Sequence, residues 1–483
     1  MLESLRGLGY STGTALADLI DNSVSAGAAH VRLDFRWSGA GSCIVLTDDG
    51  TGMTEAELER AMRLGGISPL DPRAQHDLGR FGMGLKTASL SQCRRLTVAS
   101  VKAGAVSCLR WDLDELAKTD GDDWILFEGS APGSEHALDG LRNLTSGTTV
   151  VWECLDRIVV PGFGADDFND LIDGVERHLA MVFHRMIGGH DARFTLWLNG
   201  RQVRPWDPFM TGYPGKAWES PVVDQETAAG RVQLECHVLP HKDLLSIPEH
   251  EAAAGPEGWI SQQGFYVYRN ERLLLAGGWL GLGQPRPWNR EESHRLARIR
   301  LDIPNSADAE WKIDIRKSVA RPPLSIRAWL TRYAEDTRAR ARRVFAYRGS
   351  PTPGLRREEV QPAWLSEQRA GGTRYRIDES HPAVAAVLDR ARDWQPLLRS
   401  MLRIIEETVP VQQIWLDTAE NRDTPRTGFA GEPPEAVLVV MKALFDDLVT
   451  RRNMSVDAAR RVLGSTEPFQ KYPHLVASLG QRE

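Results

Sequence analysis

Residues 12–28 read TGTALADLIDNSVSAGA. Leu16, Leu19, Ile20 and Val24 recur at helical spacing and predict a helix with a core-facing stripe. Asp18, Asp21, Asn22 and Ser25 fall three or four apart on the opposing stripe. Asp, Asn and Ser are mediocre helix formers, because their side chains compete for backbone hydrogen bonds. Taken alone, the stripe reads either as a solvated face or as a set of groups kept for a ligand.

The next segments favour a ligand. Two apolar runs, VRLDFRW (31–37) and SCIVLTDDGTGM (42–53), predict paired strands, the second ending at Asp48-Asp49-Gly50-Thr51-Gly52-Met53. Glycine at a strand end lets the backbone turn sharply and lie close to a flat ligand. A carboxylate there, Asp48, can accept a hydrogen bond from an exocyclic amine. Residues 77–88 then read DLGRFGMGLKTA, glycines leading into a helical pattern. Exposed amides and the dipole at a helix start suit phosphate, with Lys86 as a point charge. The spacing of Gly79, Gly82 and Gly84 matches neither a P-loop nor a Rossmann turn.

Taken in order, DLIDNSVSAGA, DDGTGM, GRFGMGLK and a later Gly147-Thr148 resemble the Bergerat nucleotide fold of the GHKL ATPase superfamily. That superfamily holds gyrase, the heat-shock-90 chaperones, histidine kinases and MutL, and the wording is nearest to its prokaryotic MORC-like and MutL branches. The resemblance implies ATP and Mg²⁺ as ligands. It makes Asp18 the base that activates the attacking water, Asn22 the magnesium ligand and Asp48 the reader of the adenine amine. Gly50, Gly52 and Met53 would bound the base pocket, with Gly52 making room for the base. Thr148 would support the adenine-bound aspartate and its water. Gly79, Arg80, Phe81, Gly82, Met83, Gly84, Leu85 and Lys86 correspond to the lid around the phosphates. The sequence departs at two positions: Asp18 stands where the family carries Glu, one methylene longer, and Ser25 where MutL-type proteins carry Asp.

Around this core, Thr54-x-x-Glu57 predicts a capping box opening a helix through Met62, and residues 65–80 a loop in the lid position. RRLTVASV, VSCLRWDL and TTVVWECL predict further strands, and residues 161–187 a helix; His184 and the nearby His190 read as structural histidines. A second α/β unit is expected from about Asp191. FTLWLNGRQVRPWDPF is read as a hairpin about Asn199-Gly200; VQLECHVLPHK, GFYVYRNERLLLAG and ARIRLDIP are read as three more strands. This resembles the S5-like transducer domain, which lends a lysine to the γ-phosphate; Lys317 matches that role, with Lys312 second.

The expected architecture is thus an α/β sandwich of helices on a mixed sheet (1–160), an S5-like α+β transducer with a connecting helix (161–325), and an α-helical C-terminal region (326–483) with an irregular linker near 349–375. The helix after Leu324, rich in Arg from Arg327 to Arg343, reads as a solvated helix rather than a nucleic-acid surface.

Composition bounds the rest. The chain has 483 residues and a net charge of −6, with no global basic field. Its five cysteines form no C-x-x-C pair, which predicts reduced thiols and no cysteine zinc module. No apolar run is long enough for a membrane, so the expected setting is cytoplasmic. The resemblance implies an ATP-gated conformational switch that homodimerises on ATP. It would act in a bacterial DNA-transaction or phage-defence system, with DNA and nuclease or helicase proteins as candidate partners. The alternatives are an ATP-binding scaffold with little turnover, or a protein chaperone.

Overall fold

In the computed structural model, the described residues are 6, 7, 9–63, 84–118, 125–189, 192–308, 310–313, 320–347, 361–369, 372–414, 433 and 435–480. They divide into two compact units, 1–349 and 350–483.

The first unit opens on helix α1 (Thr12–Ser25), capped by the Ser11 side chain, which accepts from the Thr14 amide. Strands β1 (His30–Arg36) and β2 (Cys43–Asp48) pair antiparallel in the register Val31 to Asp48. Helix α2 (Glu55–Met62) carries the expected capping box, with Thr54 and Glu57 bonded reciprocally. Helix α3 (Gly84–Leu90) leads to β3 (Arg95–Lys102), β4 (Ala105–Asp112), β5 (Phe127–Glu128) and β6 (Gly147–Glu153). Helix α4 (Ala165–Val182) precedes β7 (Thr195–Leu198) and β8 (Arg201–Gln202). Asn199 and Gly200 between these strands both have positive φ, which the tight hairpin turn requires.

These strands form one eight-stranded sheet in the order β5-β4-β3-β6-β2-β1-β7-β8, mixed because β1 and β7 run parallel. Its helical face buries Leu16, Leu19, Ile20, Val31, Leu46, Leu96, Val98, Trp152 and Leu179 in one core. The other face is covered by residues 135–141, where Ala137 and Leu141 pack on Val45, Val151 and Val101. The sheet therefore takes strands from beyond residue 160, where the first domain was expected to end.

A second sheet holds β9 (Trp218–Glu219), β10 (Val223–Thr227), β11 (Gly230–Val238), β12 (Gly264–Arg269), β13 (Arg272–Ala276) and β14 (Ala297–Ile303). The order is β10-β11-β14-β12-β13, with β9 on β11. GFYVYRNERLLLA is thus two strands turning at Asn270 and Glu271, both at positive φ, not the single strand expected.

Helix α5 (Leu324–Tyr347) lies on this sheet, burying Ile326, Leu330, Ala334 and Ala341 in its core. Arg338 sits over the rings of Trp279 and Trp288 at 4.7 and 4.6 Å, and Arg340 over Trp218 at 4.4 Å. Part of the arginine-rich helix therefore packs rather than standing in solvent, and it closes the first unit instead of opening a C-terminal region.

Among its described residues the second unit is helical apart from a hairpin, β15 (Trp364–Arg369) with β16 (Gly372–Ile377), in a stretch expected to be irregular. Helices at Pro382–Ala391, Gln395–Glu407, Glu435–Asp446 and Val456–Gly464 follow. Ala386, Met441, Leu444, Leu448, Ala459, Leu463 and Phe469 form its core. No described helix is long and apolar enough to cross a membrane.

Candidate functional site

The register of the central strands assembles the first part of the site. Asp48, the last residue of β2, lies opposite Thr148 on β6, and Thr148 lies opposite Ser100 on β3. Ser100 Oγ is 2.9 Å from Thr148 Oγ1 and also donates to Gly147 O at 2.9 Å. Ser100 Oγ in turn accepts from the Met53 amide at 2.8 Å.

The Asp48 carboxylate accepts from Ser23 Oγ of α1 at 2.8 Å and from the Gly50 amide at 3.0 Å. Asp48 is only 5% exposed, and burial raises its carboxyl above the ordinary value against the opposing hydrogen bonds of Gly50 and Ser23. Each carboxylate oxygen carries two acceptor sites, so the Ser23, Gly50 and Thr148 donors still leave room for an exocyclic amine.

Backbone packing, rather than a ligand, explains the glycines here. Gly52 sits at φ +65°, and a Cβ there would fall on the Val101 carbonyl oxygen. At Gly147 the same atom would meet the Asp48 carbonyl. Gly52→Ala is expected to cost more than about 2 kcal/mol, read as a lowered midpoint in urea unfolding. An unchanged midpoint would refute that geometry.

The polar stripe of α1 is not a solvated face. Asp18 is 6% exposed and Asp21 only 1%, whereas Asn22 stands exposed on the same helix. Tyr10 donates its hydroxyl to Asp18 Oδ2 at 3.2 Å. A further partner is Arg272, the first residue of β13 in the second sheet. Its Nε donates to Asp21 Oδ1 at 3.1 Å, and its Nη2 lies 3.8 Å from Asp18 Oδ1. Arg272 is itself buried, with its guanidinium 5.7 Å from the Phe183 ring. One arginine thus ties the second sheet to both carboxylates of α1. Sequence reading missed it; the turn at Asn270-Glu271 was the available signal, since it places the next side chain at a strand start.

Lys86 has a different neighbourhood from the one expected. Its Nζ donates to Ala61 O at 2.9 Å and to Arg63 O at 2.5 Å, satisfying carbonyls at the end of α2. Burial lowers its ammonium to about 8. A phosphate role for Lys86 requires those bonds to be exchanged. Gly84 and Leu85 are half-buried at the start of α3. Gly79, Arg80, Phe81, Gly82, Met83 and Lys317 lie outside the described residues. Lys312 is exposed, at φ +49°. His184 is structural, its ring bonded to Met181 O at 2.8 Å and near Tyr268 Oη at 3.3 Å; His190 also lies outside the described residues.

Residues 10–148, which span this arrangement, match the family model described as histidine kinase-, DNA gyrase B- and HSP90-like ATPase. This stretch is similar to the ATPase domain of the GHKL superfamily. The chain is similar to ATPase morc-1 of Caenorhabditis elegans, 30% identical over 96 residues that cover 20% of this chain and 11% of that protein. It is also similar to the DNA mismatch repair protein MutL of Acidiphilium cryptum, 35% identical over 101 residues covering 21% and 17%. The match thus spans less than a fifth of either relative. The eight-stranded mixed sheet with its helical layer agrees with the GHKL fold.

Proposed function

We propose that this GHKL domain binds magnesium-ATP and hydrolyses it slowly, and that nucleotide state is passed to the second sheet through Arg272. The observation that carries the reading is Asp48, buried at a strand end between Ser23, Gly50 and Thr148, beneath a helix whose Asp18 and Asp21 are also buried. Asp48 reads the adenine amine, with Ser100 and Thr148 fixing the strand ends around it. Asn22 offers an exposed amide oxygen, a hard donor that suits Mg²⁺; that ion needs few protein ligands when phosphates and water complete its shell. Bound magnesium would neutralise charge developing on the phosphates. Asp18 takes a proton from the attacking water, and residues 79–86 close over the phosphates, with Lys317 as the transducer's contribution. As a switch, the chain would dimerise on ATP and act in a bacterial DNA-transaction or phage-defence setting, with DNA and nuclease or helicase proteins as partners.

A scaffold that binds ATP with little turnover is favoured by one specific observation: Asp18 is a short side chain already engaged by Tyr10 and Arg272. Steady-state magnesium-dependent ATP hydrolysis, alone, with DNA and with unfolded protein, separates these readings. Turnover raised by DNA supports the switch. Stimulation by unfolded protein supports a chaperone, and binding without turnover supports the scaffold. Absence of both binding and turnover refutes the proposal.

A further inference from the structure

The second sheet carries a polar cluster that the nucleotide site does not use. On β11, Glu235 and His237 are two residues apart and so share a face. Glu219 on β9 lies directly opposite His237 in the antiparallel register. The ligand atoms of Glu219, Glu235 and His237 all fall within 4.8 Å of one another.

His237 is the anomaly. It is 3% exposed, and neither ring nitrogen has a hydrogen-bond partner. Buried polar atoms are almost always paired, so two on one ring call for an explanation. Glu219 Oε2 stands 3.9 Å from Nδ1 and Glu235 Oε2 3.7 Å from Nε2, too far for hydrogen bonds. Those separations are only slightly longer than the edge of a tetrahedron of ligands about 2 Å from a common ion. Phe209 covers the ring, 4.7 Å between centroids, while Glu219 stays half exposed and gives the entry path.

We propose that Glu219, Glu235 and His237 bind a divalent first-row transition ion of the Zn²⁺ class, clamping the short strand β9 to β11. One imidazole with two carboxylates selects such an ion over all-oxygen Mg²⁺. The carboxylates are not idle. Lys216 pairs with Glu219 at 2.5 Å and Arg300 with Glu235 at 2.6 Å. Arg298, opposite His237 on β14, donates instead to the Arg295 and Ala297 carbonyls. An entering ion therefore has to release Lys216, whose partner lies at the surface. Metal affinity should rise about tenfold when Lys216 is neutralised.

The test is Co²⁺ titration of the full chain, without nucleotide and after chelator treatment. One equivalent should bind with visible d–d absorption and without the near-ultraviolet sulfur charge-transfer band that cysteine ligation gives. Glu219→Gln, at the exposed edge, and His237→Gln should each weaken binding at least tenfold, whereas Lys216→Gln should tighten it. Asn22→Ala should leave it unchanged. No cobalt uptake would leave a bridging water as the ring's partner and overturn the proposal. Uptake unaffected by Glu219→Gln and His237→Gln, or a sulfur band, would overturn it equally.

Discussion

Asp18→Asn is expected to lower magnesium-dependent ATP turnover by about 10²- to 10⁴-fold, the range a positioned general base contributes, while leaving ATP affinity within a few-fold. The substitution keeps the shape of the side chain and its hydrogen bond from Tyr10, so loss of turnover would report lost basicity rather than lost folding. The Asp18→Glu variant is a second probe. It supplies the longer arm that the family carries, and a base must come within about 3 Å of the water it activates. Turnover should rise if reach limits the wild type. Steady-state phosphate release and equilibrium ATP binding on both variants separate these effects. Unchanged turnover in Asp18→Asn would remove Asp18 from the mechanism.

Arg272→Leu should have the largest effect on stability. The arginine stands between the carboxylates of Asp18 and Asp21, all three groups buried. Removing one partner from such a set leaves buried charge uncompensated, which costs about 3–5 kcal/mol. Arg272→Lys should recover only part of this, because an ammonium cannot present two fixed N–H donors to two carboxylates at once. The decisive comparison is a double-mutant cycle with Asp21→Asn. If the guanidinium serves the carboxylates, the second substitution should relieve part of the first, giving a coupling of at least about 1 kcal/mol. Simple additivity would show that Arg272 acts by packing on Phe183. The cycle also bears on function, because β13 belongs to the second sheet and α1 to the first. If movement of that sheet reaches the base through this arginine, Arg272→Lys should alter turnover more than ATP affinity.

The parts of this account legible in sequence are those written in local patterns. The apolar spacing of α1 and the Thr54-Glu57 box needed no distant partner. Neither did the strand ending at Asp48 or the Asn199-Gly200 turn. The motif order that resembles GHKL pointed to the proposed nucleotide site for the same reason. What stayed hidden depends on long-range register. Arg272 and Asp21 are 251 positions apart, and nothing near either names the other. Lys86 follows a glycine-rich run and reads as a phosphate ligand, yet its nearest acceptors are two carbonyls at the end of α2. The cluster of Glu219, Glu235 and His237 exists because β9 pairs with β11 in one register, which a two-residue strand cannot announce in advance. The reach of the first sheet beyond residue 160 was hidden for a similar cause: β7 joins β1 in parallel across more than 150 residues, and only the assembled sheet shows it.

Calorimetric titration of magnesium-ATP into wild type and Asp48→Asn tests Asp48 as the adenine reader most directly. In the variant the side-chain carbonyl can still take the Gly50 amide, which turns the new amino group toward Ser23 and any adenine amine. Donor then faces donor, and the loss of a charge-assisted hydrogen bond is worth about 1.5–3 kcal/mol. The account predicts one ATP per wild-type chain, binding about 10- to 150-fold weaker in Asp48→Asn, and GTP bound poorly by both. Wild type that binds no ATP, or Asp48→Asn that binds it as tightly, would contradict the assignment of this strand end as the nucleotide site.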